Sequence, residues 1–198
     1  MTGPEKPFIG PKALELLENK EVLLAKKAAL EQITALLVLA RHEIEQKLED
    51  HCPFPQEILE ASGKVSKGEN YQELPYQVLD FPAFFSLDDI FAFRTMFWWG
   101  HFFSTTLHLQ GKYLELYRDK MAENISLLVS EEVFICTNET PWEYHYRPDN
   151  YAPLSEEHLS LIKNAPFIKL SKYLPLSDYV AVPAFATNFI TRIMAILT

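Results

Sequence analysis

Thr95-Met96-Phe97-Trp98-Trp99-Gly100-His101-Phe102-Phe103-Ser104-Thr105-Thr106-Leu107-His108-Leu109 is the stretch on which the reading of the fold turns. Aromatic and β-branched residues dominate it, and both classes favour extended backbone. Read as one strand, it puts Phe97, Trp99, His101, Phe103, Thr105 and Leu107 on one face. Met96, Trp98, Gly100, Phe102, Thr106 and His108 fall on the other. Both faces are largely apolar, so the strand is expected in the middle of a sheet and covered on both sides. Gly100 then marks a bulge or a close backbone approach. A helix is the competing reading, but Gly100 and the Ser-Thr-Thr run count against it.

Upstream, Ser86 followed by Asp88 and Asp89 reads as a helix start, which predicts a short helix over Leu87 to Phe93. Lys64 to Asn70 and Tyr76 to Phe81 read as the arms of a hairpin, with Glu73-Leu74-Pro75 between them and Pro82 closing the unit. Pro11 suits a first helical turn, and neither Pro nor Gly follows until after Asp50. Residues 11–50 are therefore expected to be helical, behind a loose lead over 1–10. Leu16, Leu23, Leu30, Leu37 and Ile44 recur every seven residues. The companion column, Lys20, Lys27, Thr34 and Arg41, is mostly polar, so this is no simple zipper. Asn19 is a candidate cap for a second helix.

Downstream, Lys112 to Leu128 has helical spacing, and Val133 to Thr137 reads as a short strand. Trp142 to Arg147 alternates, with Trp142, Tyr144 and Tyr146 on one side and Glu143, His145 and Arg147 on the other. Ser155-Glu156-Glu157 opens a helix that stops before Pro166, and Pro183 opens the last one. The expected architecture is a single α+β domain over 1–198. It has a mostly antiparallel sheet around a central aromatic-rich strand, a long N-terminal helical region, a sheet-containing core over 64–147 and C-terminal helices over 155–198.

Composition narrows the function classes. The net charge of −9 disfavours nucleic acid as a partner. The N-terminus carries no basic start with an apolar core, so a soluble, cytoplasmic chain is expected. Thr95 to Gln110 is too short for a membrane span, and Tyr179 to Leu197 is interrupted by Pro183, Asn188 and Arg192, so no membrane is expected. Cys52 and Cys136 belong to no CxxC pair and read as packed thiols. Phosphate-loop, dinucleotide, nucleophile-elbow and HExxH patterns are all missing. His101 and His108 are seven residues apart, an odd offset that sends them to opposite faces of a regular strand. No metal or other cofactor is implied.

Singly, some of these residues are candidates for ligand contacts. His101 and His108, set among Phe and Trp, are either packed neutral histidines or acid–base groups tuned by desolvation. Arg94 either anchors an anion at a pocket mouth or pairs with Asp80, Asp88 or Asp89. Trp98 and Trp99 are candidate pocket walls. Glu69, Asn70, Tyr71, Tyr76 and Asp80 are either turn chemistry or the rim of that pocket.

Between Gly68 and Gly111, the Gly-Glu-Asn-Tyr, Leu-Pro-Tyr, Leu-Asp-Phe-Pro and Arg-Thr-Met-Phe-Trp-Trp-Gly-His-Phe-Phe blocks resemble a protein family of Bacteroidetes-type bacteria with no assigned activity. The resemblance implies a bacterial cytoplasmic origin and carries no site. Two functions stay open: a non-catalytic binding or self-associating protein, expected as a homodimer, and a small-molecule binder or enzyme with a pocket beside 95–109. The first is preferred because no catalytic constellation is legible.

Overall fold

A computed structural model describes residues 8–49, 52–60 and 62–198. Residues 1–7 of the expected loose lead lie outside the described residues. Pro11 opens helix α1, Pro11–Glu18, and helix α2, Lys20–Leu48, follows after a single residue. That residue is Asn19, whose side-chain oxygen accepts from the backbone N–H of Glu21 at 3.2 Å and of Val22 at 3.4 Å. It is the N-cap that the sequence suggested, satisfying donors that the first turn leaves free.

After the short helix α3, Gln56–Leu59, come strands β1, Val65–Tyr71, and β2, Leu74–Phe85. Their turn is made by Gln72 and Glu73, with φ of 48° and 67°. Two positive φ values give the turn geometry whose twist suits a hairpin. Asn-Gly usually signals it, so Gln-Glu was silent and the turn was expected slightly late. Pro82 does not close the unit, because β2 runs through it after a register shift between Asp80 and Ala83.

The decisive stretch is two strands, not one. Strand β3, Ile90–Trp98, and strand β4, Phe102–Gln110, pair antiparallel from Trp98↔Phe102 to Ile90↔Gln110. Gly100, at φ 73°, turns the chain between them. Leu87 to Phe93 forms no helix. Ser86 and Asp89 instead close a turn, with Asp89 N–H donating to Ser86 Oγ at 2.9 Å, and Ile90 onward joins β3. Ser and Asp suit turns as well as helix starts, which explains the misreading.

Helices α4, Lys112–Asn124, and α5, Ser126–Val129, lead to strands β5, Phe134–Cys136, and β6, Tyr151–Pro153. Trp142 to Arg147, expected as a strand, is irregular. A 3-10 turn at Glu156–His158 precedes helix α6, Leu159–Asn164. Strand β7, Phe167–Pro175, then lies inside a region expected to be wholly helical, and helix α7, Val182–Leu197, ends the chain.

The seven strands form one antiparallel sheet in the order β1-β2-β3-β4-β7-β5-β6. The aromatic stretch sits at its centre, as expected of an α+β chain of this kind. One face carries Leu79, Phe91, Phe93, Leu107, Leu109 and Leu170, packed against Leu37 and Ile44 of α2, Met121 of α4 and Phe189 and Ile193 of α7. Leu176–Leu197 is, among the described residues, the one helical stretch long and apolar enough to cross a membrane by length and composition. Within the fold, its Ala186, Phe189, Ile190 and Ile193 are core residues.

Two glycines separate turn strain from crowding. Gly100, with φ 73°, has open space where a Cβ would stand. At Gly111, with φ 59°, a Cβ would overlap Asp89 Oδ1 and lie 2.5 Å from the Asp88 carbonyl oxygen. Gly100→Ala is expected to cost about 1–2 kcal/mol of stability, the left-handed penalty alone. Gly111→Ala adds overpacking and is expected to cost about 3 kcal/mol or more. Urea unfolding of both variants checks this, and equal losses would refute it.

Candidate functional site

Strand alternation brings a row of polar side chains to the face of the sheet opposite the helices. The antiparallel registers align Asp80, Arg94, Thr106 and Ser171 across β2, β3, β4 and β7. One step along, Ala92, His108 and Lys169 are aligned in the same way. The loop 137–150 between β5 and β6 lies over this row.

Arg94 and Asp80 form a bidentate pair, with Nε to Oδ1 at 2.7 Å and Nη2 to Oδ2 at 2.8 Å. Arg94 Nη1 also donates to the Tyr144 hydroxyl of the loop. Burial works most strongly against the guanidinium charge, but the Asp80 bond together with the charges of Tyr144, Asp80 and Tyr76 outweighs it and the pKa of Arg94 rises. Of the two readings of Arg94, the ion pair is the one realised, and Asp80 is the partner.

Lys169 has no exposed surface at all. Its Nζ donates to the loop carbonyls of Pro141 and Glu143, both at 2.7 Å, and stands 4.3 Å from the centre of the Tyr144 ring. Desolvation lowers its pKa to about 7, with the Arg94 charge acting in the same direction. Desolvation likewise lowers His108 to about 3, helped by Lys169 and Arg94. His108 is thus a neutral buried histidine, and its Nε2 has no hydrogen-bond partner among the described residues.

The loop is anchored from both sides. The Tyr71 hydroxyl donates to Glu143 Oε2 at 2.9 Å and accepts from the backbone N–H of Tyr144 at 2.7 Å and His145 at 3.2 Å. Burial first, then the Glu143 carboxylate, raises the Tyr71 phenol to about 12. At the other end Tyr146 stacks on Tyr151 at 4.8 Å and bonds Ser171, which bonds Thr106 at 2.6 Å. Glu143 and His145 do not line a strand face as expected. They lie in the loop, with His145 Nε2 3.6 Å from Glu143 Oε2.

The sequence candidates therefore divide. Arg94 and His108 belong to the row. Trp98 lies on the same face near the hairpin end, stacked on His101 at 3.5 Å. Trp99 turns to the other side, edge-on to Phe97 at 6.0 Å. These five residues do not converge on one pocket. Sequence reasoning missed Lys169, Thr106, Ser171 and Tyr146 as partners. A lysine between Ile168 and Leu170, in an apolar run, was the one available signal of a buried charge.

The row closes around a cleft of about 10 Å³, lined by Arg94, Thr106, His108, Trp142, Tyr144 and Lys169. That is room for one water-sized particle. Chemically the arrangement pins a loop to a sheet through charges held out of water. Comparisons with protein-family models, curated proteins and solved structures find no match to the chain.

The Lys169 shift predicts a pH dependence. Its pKa is 10.5 ordinarily and about 7 when folded. Between these values the unfolded chain holds a proton that the folded chain has released, so stability rises with pH. Burial raises the Cys52 and Cys136 thiols above their ordinary 9.0, and stability from that source is lost as pH climbs past 9.0. Wild-type stability is expected to climb from about pH 7 to pH 9. The Lys169→Met variant is expected to flatten the slope, and an unchanged slope in denaturation curves would refute the assignment.

Proposed function

We propose that this is a non-catalytic, self-associating protein of the bacterial cytoplasm, which works as a homodimer through its N-terminal helices. The observation that carries the reading is the apolar surface of α1 and the first part of α2. Nothing in α1 is buried, and the first buried residue of α2 is Leu37. Yet Leu16, Leu17, Leu23 and Leu24 are 59%, 68%, 65% and 61% exposed. Single exposed leucines are ordinary, but a run of them along one arm marks an interaction surface.

A second copy is the occupant that fits best, because one chain supplies both halves of a contact. Beside the arm lies an apolar groove of about 470 Å³, lined by Ile33, Leu36, Leu39, Phe97, Phe103 and Leu176. The exposed leucines of a partner's arm match it in chemistry. The arm also carries mixed charge, with Glu15, Glu18 and Glu21 near Lys20, Lys26 and Lys27, so two copies need not repel.

The same groove supports a second reading, a small apolar ligand held beside the aromatic hairpin. Its lining includes Phe97 and Phe103 but none of Arg94, His101 or His108, and its polar side chains are Gln32 and Tyr179.

Light scattering coupled to size exclusion, at tens of micromolar, tests the proposal. A dimer is expected, and Leu16→Glu with Leu23→Glu should weaken it by at least about 30-fold. Both positions are exposed, so the circular dichroism spectrum should not change. A wild-type monomer would overturn the reading.

A further inference from the structure

The charges under the loop do not balance. Asp80 neutralises Arg94 through two bonds. Lys169 has no carboxylate within ion-pair distance among the described residues. The side chain of Glu143, whose backbone carbonyl accepts from Lys169, is taken by the Tyr71 hydroxyl at 2.9 Å and faces His145. A buried ammonium without a counter-charge either gives up its proton or recruits an anion.

The cleft has the parts that an anion needs. Lys169 spends two N–H donors on loop carbonyls, and a protonated amine has a third. His108 is only 4% exposed, and its Nε2 is without a partner. Arg94 spends three of its five N–H donors on Asp80 and Tyr144. Thr106 Oγ1 is already bonded to Ser171. About 10 Å³ excludes a phosphate or a carboxylate, and a monatomic anion of about twice a water's volume enters as the rim side chains give way. Phe85 and Trp142, 46% and 51% exposed, form the rim through which it would pass.

We propose that this cleft binds a small monovalent anion of the chloride class, held between Lys169 Nζ, the Arg94 guanidinium and the unpartnered Nε2 of His108, in the neutral tautomer that carries its proton on Nε2. The ion supplies the counter-charge that the polar row lacks and fastens the loop to the sheet. Binding favours the protonated amine, so it takes up a proton and weakens as pH rises above neutrality. The other groups facing Lys169 are Cys136 on β5, Tyr151 on β6, and Glu143, Tyr144 and His145 on the loop. The proposal stands independently of self-association.

Crystals of the wild-type protein grown or soaked in sodium bromide at pH 6.5, with data collected at the bromine edge, test it directly. An anomalous peak in hydrogen-bonding contact with Lys169 Nζ is expected. In solution, replacing sodium gluconate by sodium chloride at equal ionic strength should raise the melting temperature by about 2–4 °C. The rise should shrink at pH 8.5 and vanish in Lys169→Met. A cleft with only a water-sized, non-anomalous peak would overturn the proposal. So would a chloride effect that is the same in wild type and Lys169→Met.

Discussion

Lys169 stands in the middle of a β-sheet with no contact to water, and the second face of the molecule is organised around what its amine requires. A strand offers an amine no acceptors on its own face, because the carbonyls lie in the plane of the ladder. The acceptors must come from above. Pro141 and Glu143 provide them from the 137–150 loop, at the cost of holding that loop irregular. A regular strand at 142–147 would have committed those carbonyls to a ladder. The alternation of Trp142, Tyr144 and Tyr146 therefore serves another purpose: it lays rings over a polar row.

The two faces of the sheet solve different problems. On one side Phe91, Phe93, Leu107 and Leu170 are covered by helices, and apolar burial at roughly 25 cal/mol per Å² is the driving term. On the other side the Asp80–Arg94 pair, Lys169 and the Thr106–Ser171–Tyr146 chain are closed off by a loop. Breaking one member of such a network leaves a charge or hydroxyl stranded, which is why buried polar groups act together. Tyr71 extends the network to the edge strand, so β1 is tied to the loop as well as to β2. The loop thereby links β1 at one edge of the sheet to β7 near the other.

The N-terminal helices obey neither pattern. From Leu37 onward α2 is a core element against α7 and the sheet. Before it, the chain holds its helix by propensity, the Asn19 cap, the Lys27–Glu31 pair one turn apart and the Lys26–Glu69 pair to β1 at 2.6 Å. The apolar side chains there, Leu16, Leu17, Leu23 and Leu24 among them, are left over from the domain's own packing and stay exposed.

The α+β class, the N-terminal helices with the Asn19 cap, the β1–β2 hairpin and the central position of the aromatic stretch were all legible in the residues. These features rest on local periodicity, capping and composition, which neighbouring residues set among themselves. Arg94 and His108 stood out for the same reason, as polar groups amid apolar ones. What local pattern does not contain is who meets whom across the sheet. Whether Gly100 was a bulge or a turn depended on β4 finding β3. Phe167 to Pro175 looked unremarkable until it filled the gap between β4 and β5. Lys169 faces His108, and Asp80 rather than Asp88 or Asp89 faces Arg94, through registers formed by strands far apart in the chain. Such pairings follow from long-range hydrogen bonding and burial, and the row of charges exists only once they are made.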